Sequence, residues 1–150
     1  WPHNTGPILT YMAACSDSTC GDDPTTLEFF KIQQDSYMEG STTTWVQDLI
    51  YKGYPYNVTI PTALANGNYI MRHELINMAP GAGNDEDYPS CFQLTVTGGS
   101  GSGTPSSFAS SLGSTYLAKF PGAYAASDAG LNADGYTYST YDFPGPAIAS

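Results

Sequence analysis

The chain has two histidines, His3 and His73, so any histidine chemistry must use one of them or a group outside the sequence. His3 stands just ahead of a Gly-Pro turn in WPHNTGP; a lone histidine there is ordinarily structural, and metal binding is the sharper alternative. His73 sits between Arg72 and Glu74 in an alternating run, the place of a packed or hydrogen-bonded core histidine rather than a ligand. Asp85, Glu86 and Asp87 bring three carboxylates together, the raw material of glycoside hydrolysis. Nothing in the sequence fixes two of them at a working separation, and an acidic loop is ordinarily just solvated. There is no G-x-S-x-G elbow, phosphate-binding loop, H-E-x-x-H or C-x-x-C. Cys15 and Cys20 enclose the polar loop SDST, which a local disulfide would staple. Cys91 is left over as a buried thiol, an intermolecular link or one half of a bridge to a cysteine elsewhere. Asn57-Val58-Thr59 is a glycosylation sequon.

Short strands must position these groups. GPILTYMAAC, LEFFKI (27–32) and YNVTIP (56–61) read as the first three, and NGNYIMRHELINM (66–78) follows an Asn-Gly turn signal. In that last run Tyr69, Met71, His73 and Leu75 share one face; Ile70, Arg72, Glu74 and Ile76 share the other. CFQLTVTG (91–98) is a further strand, while Gln33 to Tyr54 reads as polar and irregular apart from WVQDLI. GGSGSGTPSS, beginning at Gly98, has the composition of a flexible linker, and the Tyr-rich, Gly/Pro-broken stretch from 108 to 150 reads as an arm laid over the strands. No repeat or sustained helical period is present. The reading is one all-β domain: strands in 1–98, a loop-rich tail over 99–150, and no separate carbohydrate-binding module.

Composition narrows the partners. Four Lys and Arg against fourteen Asp and Glu give a net charge of −10, which sets aside nucleic acid and anionic membranes. No apolar run approaches the roughly 20 residues that span a bilayer. Sparse charge with abundant Gly, Ser, Thr and Tyr suits a secreted β protein that meets neutral, hydroxyl-rich material.

Taken in order, WPHNTGPILTYMAAC, the C-x4-C staple, TTLEFFKI, VTIPTALANGNYIMRHELI, DYPSCFQLTVTGG and PGPA resemble the fungal lytic polysaccharide monooxygenases of auxiliary activity family 9, once grouped as glycoside hydrolases. The resemblance runs over nearly the whole chain. It implies an immunoglobulin- or fibronectin-like β-sandwich, secreted and monomeric, that binds one copper ion. It also implies oxidative cleavage of cellulose or related β-1,4-glucans at C1 or C4, with O2 or H2O2 and an external electron donor. The family's copper is held by an amino-terminal histidine, through its amino group and side chain, and by a second histidine before Gly-Pro, with a buried tyrosine on the axial side. Carried over, His3 is the second histidine and Tyr88 the axial tyrosine. Nitrogen donors suit copper in both oxidation states.

Three positions depart from the pattern. Asn4 and Thr5 put two residues, not one, between the histidine and Gly-Pro. Glu86 stands where the family has a glutamine that hydrogen-bonds the oxygen ligand, and Ala79 where it has a histidine just outside the metal's own ligands. A protonated Glu86 would still donate that bond; a carboxylate would repel an oxygen anion. Position 1 is Trp1, and Cys91 lacks the amino-terminal cysteine that the family pairs with it. We therefore expect the carboxy-terminal portion of a longer enzyme, a sandwich incomplete at its amino terminus. Such a chain would hold half a copper site, be inactive by itself, and fold poorly for want of strands on its sheet edges. Tyr136, Tyr138 and Tyr141 lie in the tail stretch that presents aromatic rings to polysaccharide, where packing onto the sandwich is an equal reading for each. The rival functions are a non-catalytic carbohydrate-binding sandwich, a copper-binding relative and, a poor third, a hydrolytic glycosidase.

Overall fold

The computed structural model describes residues 1–136 and 140–149. Its framework is one antiparallel sheet of five strands in the order β4-β3-β1-β2-β5. The strands are β1 (Ile8–Ala14), β2 (Phe29–Asp35), β3 (Gly67–Asn77), β4 (Glu86–Val96) and the short β5 (Leu117–Ala118). Two short helices, α1 (Gln47–Tyr51) and α2 (Pro105–Ser111), lie in the connections. The sheet is one layer of the expected sandwich, and each of its faces carries a core.

The period of two makes both cores. On one face Leu9, Tyr11 and Ala13 of β1 join Phe29 of β2 and Ile70 and Ile76 of β3. On the other, Met12, Phe30, Ile32, Tyr69 and Val96 gather with Leu64 and Ala109. Burying each large apolar side chain is worth roughly 1.5–3 kcal/mol, which is why β1, central and apolar on both sides, sits mid-sheet. The tail covers the first core, as expected: Phe120, Tyr124 and Phe143 pack against it and Tyr141 is part of it. Lys31 fastens the tail's end, its Nζ donating to Pro144 O at 2.8 Å while its backbone oxygen accepts from Ala149 N at 2.8 Å.

Two expectations fail, because the partner of a backbone is not visible in the local pattern. YNVTIP forms no strand. Its backbone is held by a side chain instead, with Thr59 N donating to Gln33 Oε1 at 2.9 Å and Gln33 Nε2 donating to Asn57 O at 3.1 Å. The strand expected to begin at Cys91 begins at Glu86, because the acidic stretch pairs with β3 from Asn77↔Glu86 onward. Pro89 is tolerated there because β4 is an edge strand. GGSGSG, for all its linker-like composition, is a packed loop: a Cβ on Gly99 would stand 2.1 Å from Leu64 O and one on Gly101 2.2 Å from Ala63 O. Here glycine permits close packing of two backbones. The segment then enters α2 through a capping box at Thr104 and Ser107.

Cys15 and Cys20 form the disulfide that their spacing suggests. Cys91 is a free thiol and exposed, so the buried alternative fails. Asn57 of the sequon is exposed. No helix among the described residues is long and apolar enough to cross a membrane.

Candidate metal centre

His3 belongs to an irregular segment that is tied down at its far end. Thr5 is buried and its carbonyl accepts from Met78 N at 3.0 Å; Pro7 O accepts from Ile76 N at 3.3 Å. Gly6 between them has φ +136°, and a Cβ there would lie 1.8 Å from Ile76 O, so only glycine allows this approach to β3. The longer His-Asn-Thr-Gly-Pro spacing is thus absorbed, with His3 beyond the last backbone tie.

Strand register supplies the other wall. Tyr88 lies opposite Leu75 and Glu86 opposite Asn77, and a spacing of two puts Glu86 and Tyr88 on one face of β4. The His3 and Tyr88 rings are 5.8 Å apart. Trp1 stands edge-on to both, 4.9 Å from His3 and 5.0 Å from Tyr88. Among the described residues neither ring nitrogen of His3 has a hydrogen-bond partner, so both are available to a ligand. Tyr88 is 40% exposed, where the resemblance implied burial; β4 is the sheet edge, and Trp1 and His3 pack against this ring.

Glu86 is held as a carboxylate. Asn77 Nδ2 donates to its Oε2 at 2.7 Å and Tyr88 OH donates to the same atom at 3.1 Å. These bonds, with the nearby His3, hold its carboxyl below the usual range, and Glu86 in turn raises the Tyr88 phenol. The protonated form that would donate a bond to an oxygen ligand is therefore disfavoured. Ala79 lies exposed in the turn after β3, its N–H donating to Asn77 Oδ1 at 3.1 Å, and brings no side-chain donor.

The remaining candidates separate. His73 is structural: its Nδ1 is 3.0 Å from Thr10 Oγ1, its ring lies beside Tyr56, and burial pushes it down. Tyr136 is 70% exposed and shares a groove of about 280 Å³ with Asn4 and Thr5, next to the His3 segment. Tyr141 is buried, donating to Gly130 O and packed edge-on to Trp45 and Phe143, so it offers no ring to a surface. Tyr138 lies outside the described residues. Alternation turns Asp87 away from Glu86 to the face of Arg72, 3.3 Å from its Nη2. Asp85 and Asp87 do line one cavity, but at about 200 Å³ it is smaller than the roughly 300–1,000 Å³ of small-molecule sites.

Three residues of this site escaped the sequence reading: Trp1, Asn77 and Gln47. Trp1 had a signal, since an aromatic two residues from a candidate ligand often walls it. Gln47, buried at the start of α1, donates from Nε2 to Pro7 O and Ile76 O and accepts from Trp1 Nε1 through Oε1.

Residues 1–143 match the family model for auxiliary activity family 9, formerly glycoside hydrolase family 61. The chain belongs to this family. It is 41% identical over 154 residues to AA9 family lytic polysaccharide monooxygenase B of Heterobasidion irregulare, covering 99% of this chain and 59% of that protein. To AA9 family lytic polysaccharide monooxygenase D of Gloeophyllum trabeum it is 42% identical over 155 residues, covering 100% of this chain and 42% of that protein. Among solved structures it resembles the extended catalytic domain of H. jecorina LPMO9A, with TM-score 0.79 and 37% identity over 100% of this chain and 58% of that one. It also resembles HiLPMO9B, with TM-score 0.77 and 37% identity over 99% of this chain and 64% of that one. The chain thus spans about three fifths or less of the length of these two curated relatives.

Membership in auxiliary activity family 9 accounts for the all-β architecture, and copper is the metal that the family implies. Set against copper, the residues present fit as part of a site. His3 offers an unpartnered imidazole beside a phenol, a donor type suited to copper. Among the described residues no group of three His, Cys, Asp or Glu side chains is placed to hold a metal ion. The other donors would have to come from outside the described residues or from main-chain groups.

Proposed function

We propose that this chain is the His3–Tyr88 part of a secreted lytic polysaccharide monooxygenase that cleaves cellulose or a related β-1,4-glucan oxidatively. The observation that carries the reading is the His3 imidazole, with neither nitrogen hydrogen-bonded among the described residues, standing 5.8 Å from the Tyr88 ring in a family member. Copper, when bound, would supply the one-electron chemistry with O2 or H2O2 that hydroxylates C1 or C4, after reduction by an external donor.

The chain's own residues have distinct tasks. His3 ligates through a ring nitrogen, and Tyr88 with Trp1 closes the side of the ligand facing β4. Glu86 anchors the Tyr88 hydroxyl. As a carboxylate it is only an acceptor, so it disfavours anionic oxygen ligands nearby. Tyr136 presents its ring beside the His3 segment, where it can stack on a sugar face through C–H and π contact. Asn57 carries the glycan expected of an extracellular protein. The protein works as a monomer on a glucan surface.

The second reading is a sandwich that binds carbohydrate or copper without oxidising sugar; Glu86 and Ala79 in the ligand's surroundings favour it. One experiment separates them. The full-length secreted protein is loaded with copper, given cellulose and ascorbate, and the soluble sugars are resolved by mass. Oxidised oligosaccharides that vanish with chelation and in His3→Ala establish the monooxygenase. Binding to cellulose or copper without oxidised sugar establishes the second reading, and unoxidised reducing sugars without ascorbate would refute both.

A further inference from the structure

We infer that Gln47 is a positioning residue for His3, acting through Trp1 and Pro7; the inference rests on the copper reading above. Gln47 is completely buried, and its side-chain amide bonds three other points of the chain. Nε2 donates to Pro7 O and to Ile76 O, each at 2.9 Å, and Oε1 accepts from Trp1 Nε1 at 3.2 Å. The first and third of these partners flank His3 in sequence, and the second is the end of β3 opposite the stretch that bears Tyr88.

One amide therefore joins both sides of the His3 segment to the strand pair that holds the phenol. Gly6 makes the junction sterically possible, since a Cβ there would also lie 3.0 Å from Gln47 Nε2. His3 makes no hydrogen bond of its own among the described residues, so its orientation comes from the Trp1 and Tyr88 rings. Trp1 in turn is set by its indole hydrogen bond to Gln47. An apolar side chain of equal length would fill the same core space and leave the imidazole without this chain of supports. A ligand side chain that is free to turn binds metal less well, and the loss of such outer supports typically weakens metal affinity 10- to 100-fold.

The test uses the full-length secreted protein and Gln47→Met, which keeps the length and removes all three bonds. The expected result is a copper dissociation constant about tenfold higher. With the metal removed, the His3 Cε1–H resonance should also move toward its unstacked position, while unfolding stays cooperative. A second measurement needs no variant: in metal-free wild type the Trp1 indole N–H should exchange at least about tenfold more slowly than a solvated indole. Unchanged copper affinity and an unmoved His3 resonance in folded Gln47→Met would overturn the inference. So would a Trp1 indole exchanging at the solvent rate, even if the variant does not fold. Wild-type protein that takes up no copper would instead overturn the copper reading, and the His3 resonance would still decide the role of Gln47.

Discussion

Removing one hydroxyl, in Tyr124→Phe, tests how the tail is held to the sheet that carries the site. Tyr124 OH donates to Glu74 Oε2 at 2.5 Å and lies 2.8 Å from Tyr11 OH, which donates to it. Glu74 is wholly buried, and Arg72 Nη2 is 2.9 Å from its other oxygen. The substitution therefore removes one hydrogen bond from a buried carboxyl and also breaks the phenol–phenol bond. A hydrogen bond to a charged group is worth about 1.5–3 kcal/mol net and a neutral one about 1, so the loss should approach about 2–4 kcal/mol where Glu74 is ionised and be smaller where it is protonated. Tyr11→Phe removes only the neutral bond and should cost about 1 kcal/mol.

The loss also depends on pH, with a definite sign. Burial and the neighbouring Asp87 push the Glu74 carboxyl from 4.5 up to about 8, while Arg72 and Tyr124 pull it back. Between those values the folded state binds more protons than the unfolded one, so stability falls as pH rises through the window. Tyr124→Phe takes away one group favouring the charged form, and its penalty should be larger at pH 8 than at pH 5. Urea unfolding of the full-length protein, the two Phe variants and the double variant at both pH values reads this directly. A Tyr124→Phe loss no greater than that of Tyr11→Phe, or one larger at pH 5, would refute the reasoning.

The other expected outcomes concern the staple, the ligand's surroundings and the surface. Replacing Cys15 and Cys20 by Ser opens a loop with a sequence separation of 5. By chain entropy this should lower stability by about 2 kcal/mol, measured by denaturant midpoint. Glu86→Gln restores a hydrogen-bond donor and removes a negative charge beside His3. If Glu86 holds the proposed reaction back, the rate of oxidised-sugar release should rise about tenfold, and no rise would remove Glu86 from that role. Asn57→Gln should lower the intact mass by one glycan and leave stability within about 0.5 kcal/mol, because Asn57 is exposed.

What was legible in the sequence was what depends on period. The assignment of Ile70, Arg72, Glu74 and Ile76 to one face of β3 holds because alternation is a property of the strand alone, and these four are buried together. What was not legible was the partner of each backbone. YNVTIP alternates as well as any strand, yet Gln33 takes its polar groups before a ladder can form. DEDYPS looks like a solvated loop, yet β3 is long enough to pair with it. Gln47 gave no signal, since one polar residue in WVQDLI looks like any other until Pro7, Ile76 and Trp1 converge on it.

The same logic bears on the choice between hydrolysis and oxidation. Three consecutive carboxylates suggest a hydrolase only while their stretch is taken for a loop. Once Glu86 and Asp87 enter β4, the pleat divides them: Glu86 faces Tyr88 and Asn77, while Asp87 faces Arg72. Two carboxylates on opposite faces of a strand cannot flank one glycosidic bond, as an acid–base pair must. On the face that His3 shares, Glu86 is the one member of the three in place, and its bonds keep it ionised. A lone ionised carboxylate beside an unpartnered imidazole lacks the proton-donating partner that glycoside hydrolysis needs. It does suit the cation proposed at His3.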